Sequence, residues 1–164
     1  MTWAEAFFEQ AQSDYAIFKD LCRLDKPKCH QLHYLQMATE KLAKAYMCKR
    51  AKKDEPPKTV HAALSKFLRF SKDFSHLRQQ MGYHHNYMAY CGYINSVIPI
   101  AEAIENLAPS GQNLSHPNPE YPFDTDKGII SPVKYEFKEI ELNKQYFLAF
   151  DKLIIRLIQI FPSF

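Results

Sequence analysis

Apolar residues recur at helical intervals from the start of the chain. Trp3, Phe7, Ala11, Phe18 and Leu21 share one face with Asp14 among them, the period of an amphipathic helix. Thr2 followed by Glu5 has capping-box spacing, so this helix is predicted to run to about Arg23. Asp25 and Pro27 restart the chain, and Leu32, Leu35, Thr39, Leu42 and Tyr46 define a second helix that ends in a basic run before Pro56 and Pro57. Helices joined by so short a turn should be antiparallel neighbours. A short third helix is expected with Val60, Leu64, Phe67 and Leu68 on one side.

A fourth pattern, Phe74, Leu77, Met81, Met88, Cys91, Ile94, Ile98 and Ala101, predicts one helix from about Asp73 to Leu107. Gly82, Gly92 and Pro99 lie inside it, so a kink or break is expected, most of all near Pro99, which cannot bond the Asn95 carbonyl. Residues 108–139 then lose the helical period and gain prolines, glycines and turn-forming side chains. Only "VKYEF" alternates as a short strand would. So long an irregular insertion is either a functional loop or a strap across the bundle, and Tyr121, Phe123, Tyr135 and Phe137 favour the strap. The last helix carries Ile140, Tyr146, Phe150, Leu153, Ile154, Leu157, Ile158 and Phe161, apolar over so much of its surface that burial in a core or a dimer interface is expected. The sum is a single all-α domain over 1–164, an up-and-down bundle of four to five helices with a long irregular strap before the last one.

Composition supports a folded domain: 46% of the 164 residues are aliphatic or aromatic and 24% are charged. No apolar run is long enough to span a bilayer, and the acidic start "MTWAEAFFEQ" lacks the basic n-region of a signal peptide, so no membrane association and a cytoplasmic location are the default expectations. Cys22, Cys29, Cys48 and Cys91 form no C-x-x-C pair and read as packed thiols. The net charge of +3 is uneven, with +6 in residues 1–98 and −3 in the remainder. The densest basic stretch holds Lys49, Arg50, Lys52, Lys53 and Lys58. It suits either a solvated helix end, where cations complement the dipole, or a phosphate-binding patch.

Several chemistries lack their residues. There is no G-x-S-x-G, no H-E-x-x-H, no E-x-x-H pair and no glycine cluster for a phosphate loop. Adjacent His84 and His85 would point about 100° apart on a helix and could not chelate one ion together, so no metal and no cofactor are expected. What remains is Arg78 with these histidines. On an uninterrupted helix a seven-residue offset is about 700°, which puts His85 on the Arg78 face roughly 10 Å along, with His84 rotated away. A neutral imidazole can take the proton of an RNA 2′-hydroxyl while guanidinium binds phosphoryl oxygens, and the same pair also suits simple phosphate binding.

The second helix adds a family resemblance. "CHQLHYLQMATEKLAKAYMCKR" resembles the signature helix of the HEPN superfamily, Q-x-A-x-E-K-x-x-K-A, through Gln36, Ala38, Glu40, Lys41, Lys44 and Ala45. Ala11 and Asp14 match the A-x-x-D arrangement of the preceding helix, and "KTVHAALSKFL", with His61, is similar to the short helix that follows. The resemblance covers roughly residues 3–90. It implies a small helical bundle that forms a homodimer and a site of R-x4–6-H type, met here as Arg78 with His84 or His85. By that likeness the protein is either a metal-independent ribonuclease of toxin–antitoxin or defence type, or a non-catalytic module that binds RNA or a nucleotidyltransferase partner. Gln79 follows the arginine, where the family often has Asn or Asp, and residues 108–139 depart from the family's compact pattern.

Overall fold

In the structure, a computed structural model that describes residues 1–51, 55, 62–109 and 115–164, the Thr2 cap closes as predicted. The Thr2 hydroxyl accepts the Glu5 N–H and the Glu5 carboxylate accepts the Thr2 N–H. Helix α1 spans Trp3–Arg23 and ends at Asp25, whose φ of 47° is left-handed. Asp25 N–H bonds the Cys22 carbonyl and Lys26 N–H bonds that of Leu21, a Schellman closure. Helix α2, Lys28–Ala51, then runs back along α1. Cross-contacts pair Cys22 with Gln31, Asp14 with Lys41 and Phe7 with Lys44, an order that only antiparallel helices produce. All five apolar-stripe positions of α2, Leu32, Leu35, Thr39, Leu42 and Tyr46, are buried.

The protein is all-α, with six α-helices among the described residues: α3 (Ala63–Ser71), α4 (Ser75–Gln80), α5 (Tyr87–Glu105) and α6 (Gln145–Ile160) complete the set. The single helix expected over 73–107 is in fact two, and the break is at 81–86. Helix α5 runs straight through Pro99. That proline and Asn95 both face solvent, so the carbonyl it leaves unbonded is not trapped in the core. Helix α6 packs Phe147, Phe150, Leu153, Ile154 and Leu157 inward, yet Tyr146, Leu148 and Ile155 are exposed, so it is less enclosed than its composition suggests. Three tyrosines fasten it. Tyr15 of α1 donates to Asp151 Oδ1 at 2.5 Å, Tyr46 of α2 to the Leu157 carbonyl at 2.6 Å, and Tyr93 of α5 to the Ala149 carbonyl at 3.0 Å.

The described residues 115–139 of the irregular segment form a strap with one hairpin. Strands β1 (Phe123–Thr125) and β2 (Gly128–Ile130) pair antiparallel, with Phe123 opposite Ile130. The strand expected at "VKYEF" is absent because Pro132–Lys134 forms a 3-10 turn instead. Tyr135 lies edge-on between Phe123 and Phe137. Phe137 is fully buried at a left-handed φ of 45°, and Lys28 of α2 donates to its carbonyl at 2.7 Å. The four cysteines form no disulfide. No helix of the described residues is long and apolar enough to cross a membrane.

Candidate functional site: the joint between α4 and α5

The break that divides the expected long helix decides the geometry of the arginine and the histidines. Gly82 sits at the C′ position of α4 with φ +87°. Its N–H bonds the Gln79 carbonyl, and Tyr83 N–H reaches back to the Arg78 carbonyl at 3.0 Å. That pair of bonds is a second Schellman motif, and glycine is the residue that adopts its left-handed position without Cβ strain. Four residues later Asn86 caps α5 by accepting the Ala89 N–H at 2.8 Å. His84 and His85 therefore occupy the turn, not a helix face, and the shared face expected for Arg78 and His85 does not exist.

Both histidines are exposed, with ring centroids 6.2 Å apart and planes inclined by 41°. They line an open depression with Gly82, Tyr83, Asn86 and Ala89. Arg78, in the last turn of α4, is half-buried and holds its guanidinium 5.4 Å from the centre of the Tyr87 ring. Its Nε is buried without a hydrogen-bond partner among the described residues. Hydrogen bonding with Cys91 raises the Tyr87 phenol above its ordinary pKa. Gln79 is exposed.

The other residues singled out by sequence divide sharply. Lys49 donates to the Phe161 carbonyl at 2.6 Å and lies 4.4 Å from the Phe161 ring centre, so its charge serves the end of α6. Arg50 stacks over Phe74 at 4.3 Å. Lys52, Lys53, Lys58 and His61 lie outside the described residues. The signature residues of α2 bond one another and α1: Lys41 to Asp14 at 2.5 Å, Lys44 to Glu40 at 2.5 Å, and Gln36 to Glu40 at 3.3 Å. They form a polar seam between the two helices. Among the described residues no three His, Cys, Asp or Glu side chains are grouped so as to hold a metal ion.

Sequence reasoning missed two cations next to the joint. Lys152 and Arg156 of α6 line a groove with Met81, Gly82, Tyr83 and Tyr93. Arg156 clamps the Gln80 carbonyl through Nη2 at 2.6 Å and Nε at 3.2 Å, closing the C-terminal end of α4. Their signal was a pair of basic residues at i,i+4 in a mostly apolar helix. The fold thus defines a helical bundle with two exposed histidines in the turn where two helices meet, and an arginine that lies against Tyr87 at the start of the second helix and does not line the histidine depression. Comparison with the models of known families, with curated proteins and with solved structures finds no match.

Proposed function

We propose that this chain is a HEPN-like homodimeric protein that acts on RNA at Arg78, His84 and His85, with metal-independent phosphodiester cleavage as the activity. The observation that carries the reading is the unspent hydrogen-bonding capacity of Arg78: a guanidinium with a buried, unpartnered Nε in the helix that leads into the turn holding two exposed imidazoles. A phosphate gives that donor its partner once the side chain turns to uncover it, and binding then removes the cost of leaving it unsatisfied. The second support is the 6.2 Å between the imidazole rings. At that separation both can face one phosphodiester. One takes the 2′-hydroxyl proton, the freed oxygen attacks phosphorus, and the other returns a proton to the departing 5′-oxygen, while Arg78 binds the non-bridging oxygens. Exposed Tyr87 (44%), against the arginine, and the adjoining Met88 (76%) offer the apolar contact of a second copy.

The test is scission of single-stranded RNA in excess chelator, with Arg78→Ala and His84→Ala/His85→Ala measured alongside. Cleavage that persists with chelator and is lost in both variants supports the proposal. Activity that survives Arg78→Ala, or that needs a divalent ion, refutes it. RNA bound through Arg78 but left intact assigns the site to binding alone, the non-catalytic form of the resemblance.

A further inference from the structure

The groove on the α6 side of Gly82 has no role in the cleavage scheme, and its make-up is chemically distinct. Its lining contains Lys152 and Arg156 but, among the described residues, no carboxylate. The oxygens that Arg156 bonds there are uncharged, those of Gln80 and of Gln159 at 3.4 Å, so its positive charge is fixed in place without a neutralising partner. Lys152 is exposed, and among the described residues neither a hydrogen bond nor an ion pair engages its amine. Some exposed cations, such as Arg69 with Glu102 and Lys144 with Glu141, pair with acids; what sets Lys152 apart is a second cation, Arg156, in the same groove. Two cations without an acid partner in one groove, one of them held on a helix-end carbonyl, make a site of positive potential.

The groove is also joined to the histidine depression. Gly82 and Tyr83 line both. Nothing lies within 4 Å of the place a Gly82 side chain would take, so the backbone there is bare and a ligand can pass close across it. Tyr83 stacks on Tyr93, centroids 5.9 Å apart and planes 24° from parallel, which puts an aromatic surface between the histidines and the α6 cations. Cations alternating with aromatic faces are what a single strand requires: charge for successive phosphates and a platform for a base.

We propose that Lys152, Arg156 and the Tyr83–Tyr93 pair form a second subsite for single-stranded RNA, which holds the nucleotide next to the phosphodiester at the histidines. This rests on the RNA-directed function proposed above. Duplex RNA is a poorer match, because its bases are stacked on one another and unavailable to Tyr83.

Lys152 is the residue to alter, since Arg156 also closes α4. The probe is a fluorescein-labelled 2′-O-methyl oligouridylate of about a dozen nucleotides, which cannot be cut, titrated by anisotropy over a range of salt. Lys152→Glu is expected to weaken binding on the order of ten-fold and to lower the slope of log affinity on log salt by about 0.7 for each phosphate no longer neutralised. Lys152→Arg should retain affinity. Lys127→Glu, at the exposed hairpin turn and outside the lining of the groove, controls for net charge and should have little effect. Losses of equal size in Lys152→Glu and Lys127→Glu overturn the subsite, and the RNA-directed function stands if Arg78→Ala still abolishes binding. Failure of the unaltered protein to bind the strand overturns both.

Discussion

Removing the Glu105 carboxylate should unfasten α3. That helix begins with Ala62 at its N-cap position, and alanine offers no oxygen to the free N–H groups of the first turn. Glu105, contributed by α5 and only 9% exposed, supplies the cap from outside: its Oε1 accepts Leu64 N–H at 2.6 Å and Ser65 N–H at 2.9 Å. The carboxylate lies at the C-terminal end of its own helix, where the dipole opposes negative charge, so the α3 amides must be what hold it there. Glu105→Ala leaves two donors without their charged partner. With charge-assisted bonds worth about 1.5–3 kcal/mol and cap losses about 0.5–2 kcal/mol, the expected cost is about 3–4 kcal/mol. Glu105→Gln keeps an acceptor without its charge and should cost about 1–2 kcal/mol. Urea unfolding followed by circular dichroism would show the midpoint falling at constant m value. A Glu105→Ala unfolding free energy within about 0.5 kcal/mol of the parent, or equal to that of Glu105→Gln, would refute the capping argument.

Gly82→Ala should destabilise by about 1 kcal/mol through its left-handed φ alone, because the added methyl meets no atom, and Gly82→Asn should lose less. Thermal melts of both check this; equal losses in the two would remove the conformational explanation. Alkaline pH should unfold the protein. Burial raises the phenols of Tyr15, Tyr46, Tyr90 and Tyr93, the last to about 12, whereas an unfolded tyrosine titrates near ~10. Their contribution is complete below that pH and is lost as pH rises through the folded values. A melting temperature flat from neutral pH through about 12 would refute it.

The α1–α2 hairpin was legible because one physical cause dominates it: a 3.6-residue stripe with a capping box at one end and a short turn at the other. The α4–α5 break was missed although its signals stood in the sequence. Gly82 and Asn86 are a helix stop and a helix start four residues apart, but Pro99 carried more weight as a breaker than a solvent-facing proline deserves. That error moved the candidate site onto a helix face and singled out His85, where the joint treats both histidines alike. The basic run that begins in the last turn of α2 was read by charge alone. What Lys49 does depends on the Phe161 carbonyl, 112 residues away, which no local pattern discloses. Lys152 and Arg156 escaped notice for the complementary reason: the apolar stripe around them set the reading of α6, and only tertiary packing puts them next to Gly82.

The joint itself has an entropic consequence. Gly82, Tyr83 and Asn86 each commit their N–H to a carbonyl within the turn or the helix before it, and the helices on both sides are capped. Ordering backbone costs about 1–2 kcal/mol per residue, so fixing residues 82–85 is worth about 4–8 kcal/mol in all. Here that loss falls on folding and not on association. A ligand arriving at the two imidazoles meets a backbone already confined, with only side-chain torsions left to settle. Whatever binds there can be small, since it need not organise the loop that receives it.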